Sequence, residues 1–219
     1  MRISTTTLES FRLFMQPEQD WMSEDELVAT IRGQFVPTHN VLVGQAFGSV
    51  LEQPERYRVR GGYLVPPSRG RDGHAIALGD DVMGPMLALI DRERTVFEAK
   101  AVKAYGAHDV VAKADQMVGA RLIETKATFS SFDFDKYAAS CQWRFMADIF
   151  QPLSVTYHVA CLAESEATGV LSLRGIETFT LYPYAALHQD CEGLVRSFVD
   201  YVTCKGLADV LEQRQRDAA

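Results

Sequence analysis

A chain of 219 residues with 47% hydrophobic side chains can bury one sizeable core, so a single domain over residues 1–219 is expected. Its net charge of −7 disfavours a nucleic-acid partner only if it is evenly spread, and it is not: residues 54–144 carry +2 and the remainder −9. No window approaches 18 consecutive apolar residues and MRISTTTLES has no apolar run after its charges, which argues against a membrane span or signal peptide and predicts a cytoplasmic protein.

In chain order, Ser4 to Met15 reads as a short helix with a hydroxyl cap. A second helix starts at Ser23, where Ser23 and Glu26 have capping-box spacing, and stops at Gly33. Residues 38–53 form the next helix candidate, with Val43, Phe47, Val50 and Leu51 on one stripe. Beside that stripe lie Gly44, Gly48 and Glu52, a face expected to approach another element closely and deliver Glu52 to it. Strands are expected at 57–65, 74–78, 95–105, 109–117 and 120–128, with a short helix around DDVMGPMLALID and an exposed loop at PPSRGRDG. Within the first strand Arg56, Arg58 and Arg60 alternate, which would place them on one face as a solvated edge or a phosphate-contacting patch.

A capped helix of about four turns is expected from Asp135 to Pro152, followed by strands in SVTYHVACLAE and GVLSLRGIETFTLYP and a strongly amphipathic helix from Cys191. The order predicts an α/β fold, a central mixed sheet flanked by helices. Cys141, Cys161, Cys191 and Cys204 form no C-x-x-C pair and read as core thiols, and Trp143 reads as core. Motifs for a P-loop, a dinucleotide fold, a zincin and an α/β-hydrolase are all missing.

The chemistry concentrates in ADQMVGARLIETKATF, residues 114–129. Two strands joined by a tight turn at Gly119 put Glu124 and Lys126 on one face and let Asp115 reach the same side. Two carboxylates at that range suit a hard divalent cation, Mg²⁺ or Mn²⁺, and a lysine beside them can hold water and stabilise charge on phosphorus. The spacing by itself serves a surface salt bridge equally well.

Flanking stretches in the same order resemble the PD-(D/E)XK nuclease superfamily, in its branch of RecB-type nuclease domains and phage-type recombination exonucleases, over roughly residues 3–150. VVAKADQMVGARLIETKAT looks like the metal-binding Asp followed by the (D/E)-x-K strand. VGQAFGSVLE resembles the preceding helix, DKYAASCQWRFMADIF the following one, and ISTTTLESFR the opening helix. The resemblance implies a Mg²⁺- or Mn²⁺-dependent deoxyribonuclease in which Asp115, Glu124, the Thr125 carbonyl and Glu52 hold metal, Lys126 activates water and Gln142 supports the site. Arg56, Arg58, Arg144 and Tyr137 would contact DNA. Gly48 stands where many members carry a ligand histidine, leaving Glu52 to complete the shell, with Glu98 as competitor. The cysteines of iron–sulfur members are missing. By the same resemblance an exonuclease on duplex ends, a homo-oligomeric ring and a single-strand annealing partner are expected. A binding module without cleavage and a structure-specific endonuclease are the alternatives.

Overall fold

The computed structural model describes residues 1–16, 22–67, 74–165 and 167–217, with side chains to residue 213. Strand β1 (Arg2–Ser4) leads directly into α1 (Thr5–Phe14), whose N-cap Ser4 accepts from the Thr7 backbone N–H. Helix α2 (Glu24–Arg32) has the expected capping box at Ser23 and Glu26 and ends at Gly33 in the left-handed region. Helix α3 spans His39–Glu52.

Residues 57–65 are not one strand. Pro54 opens a one-turn helix, α4 (Pro54–Tyr57), and Gly61 at φ +81° turns β2 (Arg58–Val59) back onto β3 (Gly62–Val65). Arg56, Arg58 and Arg60 therefore lie in a helix, a strand and a turn, and the expected three-arginine face does not form. Proline presets helical φ at a first turn, and the Gly61 turn folds the extended run back on itself. Strand β4 (Ile76–Gly79) completes a three-stranded antiparallel sheet, and α5 (Asp80–Leu87) follows, with Pro85 inside it. The loop expected at 66–73 falls mostly outside the described residues.

The main sheet is built on β5 (Thr95–Tyr105), β6 (His108–Val118), β7 (Arg121–Thr128), β8 (Ser154–Glu164) and β9 (Leu171–Leu181). Its order is β1-β6-β7-β8-β9, with β5 also paired to β6, and it is mixed: β1 runs parallel to β6 and β7 parallel to β8. Strand β6 pairs with β7 only from Gln116 to Val118, while its far end, Asp109 to Val111, pairs with β1. Between these two ladders the sheet forks.

The crossover from β7 to β8 is two helices rather than one, α6 (Phe134–Ala139) and α7 (Cys141–Phe150). Ser140 breaks the run at φ −58°, ψ 138°, and its hydroxyl caps the Gln142 N–H. The Glu9 carboxylate, reaching from α1, accepts from the Cys141 N–H at 2.7 Å, the Ser140 hydroxyl at 3.1 Å and Arg12. A carboxylate at a helix N-terminus favours a new start over continuation, so Tyr137 and Cys141 do not share one helical line.

Helices α8 (Leu187–Cys204) and α9 (Ala208–Asp217) close the chain. One core gathers α1, α2, α7 and α8 around Phe11, Phe145, Tyr157 and Phe198; the other packs α3, α5 and the small sheet on Ala160 and Leu162. Each fully buried Phe contributes roughly 2–3 kcal/mol by leaving water. Trp143 is buried as expected, as are Cys141 and Cys191, but Cys161 is half-buried and Cys204 exposed, because Cys204 ends α8. Among the described residues no helix is long and apolar enough to cross a membrane.

Candidate active site

Where β6 and β7 part beyond Gln116–Ile123, side chains replace the missing ladder bonds. The Asp115 N–H donates to Glu124 Oε1 at 3.0 Å, and the Thr125 N–H donates to Asp115 Oδ2 at 3.0 Å. Lys126 Nζ completes the set, 2.8 Å from Glu124 Oε2 and 3.6 Å from Asp115 Oδ2. The three residues singled out on the sequence thus meet as one network at the fork.

Their surroundings differ. Glu124 is 2% exposed, whereas the side chains of Asp115 and Lys126 are about a third exposed, at 33% and 32%. Burial pushes the Glu124 carboxyl well above its ordinary range; the Lys126 ammonium pulls it back and the charge of Asp115 adds to the rise. Burial also works against the Lys126 ammonium, but Glu124 and Asp115 outweigh it and hold its pKa above the usual value. The lysine therefore keeps its proton while it faces both acids, and acts as a donor and a positive charge.

The network opens into a cleft of about 980 Å³ whose walls include Gly44, Gly48 and Glu52 of α3, Glu98 of β5, Lys113 of β6, Lys136 of α6 and Gln142 of α7. Glu52 and Gln142 are thus brought to the cleft with Asp115, Thr125 and Lys126. A Cβ built on Gly44 or Gly48 meets nothing within 4 Å, so the close contact expected from the sequence does not form at these two glycines, which instead leave one wall of the cleft bare. Gly48→Ala is accordingly expected to stabilise the fold by about 1 kcal/mol, the helix-propensity difference; urea denaturation measures it, and a loss of stability would mean the wall is closed.

Glu98 has φ +55°, rare for a residue with a side chain, and falls between the Phe97–Gln116 and Ala99–Ala114 pairs, across from Asp115. Such strain costs on the order of 1–3 kcal/mol. The twist turns its carboxylate to an ion pair with Lys113.

Four expected DNA contacts do not line this cleft. Arg56 lies over the Tyr57 ring, and Arg58 pairs with Asp80 and stacks on Tyr63 at 4.8 Å. Arg144 lines a separate hollow of about 370 Å³ with Arg12, Cys141 and Cys191. Tyr137 is half-buried, stacked on Phe132 at 5.9 Å and against Tyr157 at 5.7 Å. Conversely, Lys113 and Lys136 line the cleft and were not singled out; the signal for Lys113 was its place two residues before Asp115 on one strand face.

Asp115 and Glu124 offer the hard oxygen donors that Mg²⁺ or Mn²⁺ takes, so the chemistry of the set fits such an ion. Among the described residues no three acidic, His or Cys side chains converge closely enough to hold a metal by themselves. Backbone carbonyl or water oxygens would have to complete the shell.

No family model matches the chain, and no curated protein matches it. Solved structures do. SSO0001 superimposes with a TM-score of 0.51 at 10% identity over 91% of this chain and 76% of that one. A candidate exonuclease from Eubacterium rectale gives 0.51 at 11% identity over 97% and 82%. LHK-Exo, solved in complex with dAMP, gives 0.45 at 12% identity over 99% and 94%. At these identities the likeness is one of fold: a mixed sheet flanked by helices, of the kind the Eubacterium rectale protein also has.

Proposed function

We propose that the chain is a divalent-cation-dependent deoxyribonuclease of the PD-(D/E)XK type acting on the ends of duplex DNA. The observation that carries this reading is the forked site, where Asp115, buried Glu124 and Lys126 form one hydrogen-bonded network and Asp115 and Lys126 line a 980 Å³ cleft. The fold shared with a candidate exonuclease supports it.

Asp115, Glu124 and the Thr125 carbonyl would hold Mg²⁺ or Mn²⁺, with water oxygens completing the shell and Glu52 reaching it from the cleft wall through one of those waters; the ion would supply positive charge to the scissile phosphate and its leaving oxygen. Lys126, charged because both acids face it, orients the attacking water and stabilises the charge gathering on phosphorus. Water oxygen bonds to phosphorus as the P–O bond to the leaving oxygen breaks; the attacking water gives up its proton to solvent, and the leaving oxygen takes one up from solvent. Gln142, on the cleft wall, can hydrogen-bond that water or a phosphate oxygen. A role in phage-type recombination, with a ring-forming oligomer and an annealing partner, extends the same proposal.

Linear duplex DNA incubated with Mg²⁺ is expected to be degraded, with no loss in EDTA, while covalently closed circles survive. Cutting of circles would replace the exonuclease reading with an endonuclease. The second reading, a binding module without cleavage, is favoured by Gly48, which adds no ligand from α3, and would be supported by a folded protein inert with every divalent metal.

A further inference from the structure

Beyond the acids and Lys126, the β5–β6 hairpin carries two lysines in a place where folding alone would not put them. Lys100 stands directly across from Lys113 in the hairpin register. Side chains so opposed lie about 5 Å apart at Cβ, and like charges there repel. Lys113 is partly compensated by its ion pair with Glu98, whereas Lys100 is exposed and has no ion pair among the described residues.

The position of the pair relative to the site explains it. Lys113 precedes Asp115 by two residues, so both point to one face about 7 Å apart along the strand. Lys113 lines the cleft, and Lys136 faces it from α6, so cations border the cleft on two sides of Lys126. The hairpin's outer face continues from that border toward Lys100, with only Val102 and Val111 as the next pair beyond.

We infer that Lys100 and Lys113 form a phosphate track along the outer face of the β5–β6 hairpin, holding the backbone of the DNA strand that lies in the cleft beside Asp115. The inference rests on the nuclease reading above. A polyanion resolves the repulsion that the hairpin otherwise carries, and the Glu98 tether keeps Lys113 at the cleft wall rather than free in solvent. The contact is to phosphate, so it reads charge and not base sequence.

The test is binding of a fluorescein-labelled linear duplex with a single-stranded overhang to the full chain, with Ca²⁺ in place of Mg²⁺, followed by anisotropy over a salt series. Lys100→Gln and Lys113→Gln are each expected to weaken binding roughly 3- to 10-fold and to lower the slope of log Kd against log salt by about 1. Arg196→Gln, on the exposed side of α8, should change neither. Lys100→Glu should raise Tm, because the repelling pair becomes an attracting one, while weakening DNA binding further; a purely structural lysine would move both in the same direction. Wild type that hydrolyses DNA while the lysine variants bind with unchanged affinity and slope overturns the track alone. Wild type that neither binds nor hydrolyses duplex overturns the nuclease reading with it.

Discussion

Lys126→Ala and Asp115→Asn are each expected to lower the rate of Mg²⁺-dependent hydrolysis of linear duplex by about 10²- to 10⁴-fold, a barrier increase of roughly 3–5 kcal/mol. The geometry sets this magnitude. Lys126 Nζ is the cation placed 2.8 Å from Glu124 and 3.6 Å from Asp115, so its removal deletes both the donor for water and the charge that balances two acids. Asp115→Asn keeps the shape and can still accept from the Thr125 N–H, so the ladder replacement survives while the charge is lost. Release of acid-soluble nucleotide, with circular dichroism to verify folding, measures the effect. Activity that survives both substitutions in a folded protein would remove the site from the fork.

Glu9→Gln is expected to destabilise the fold by about 3 kcal/mol at neutral pH, the usual penalty for breaking a buried pair whose partner stays buried. Glu9 bonds Arg12 at 2.6 Å and caps α7 through Cys141 and Ser140, and Arg12 is itself buried. Burial raises the Glu9 pKa, but the Arg12 guanidinium and the Cys141 donors outweigh it, so the net shift is downward from 4.5. A carboxylate with a depressed folded pKa contributes stability that is present above its unfolded value and is lost as pH falls through the folded one. The gap between wild type and Glu9→Gln in urea denaturation should therefore be full at neutral pH and shrink in acid below the unfolded pKa of 4.5. A gap independent of pH would mean that the charge of Glu9 is not what holds α1 to α7.

The same residue illustrates why part of the structure was not legible. Residues 134–150 carry a helical pattern throughout, yet they form two helices because Glu9, more than 130 positions upstream, caps Cys141. Ser140 was the one local signal, a hydroxyl at N-cap spacing before Gln142. The arginines at 56, 58 and 60 were misread for a related reason: alternation implies a common face only if the strand is continuous, and Pro54 and Gly61 end it on either side. The bare glycines of α3 are a third case, since a missing side chain serves a close contact and an open cleft equally, and only the neighbouring element distinguishes them.

What the sequence by itself determined was local: the caps at Ser4 and Ser23, the strand alternation from β5 to β8, and the period-two rule that sets Glu124 and Lys126 side by side. These follow from backbone geometry within a few residues. The tertiary structure decided what no short window contains: that β6 leaves β7 to join β1, so that Asp115, Glu124 and Thr125 bond across a fork instead of a ladder, and that α3 and α7 bring Glu52 and Gln142 to the cleft it opens. Strand partners are chosen by the burial of whole faces against helices far away in the chain, and that choice turned a common acidic and basic spacing into a site.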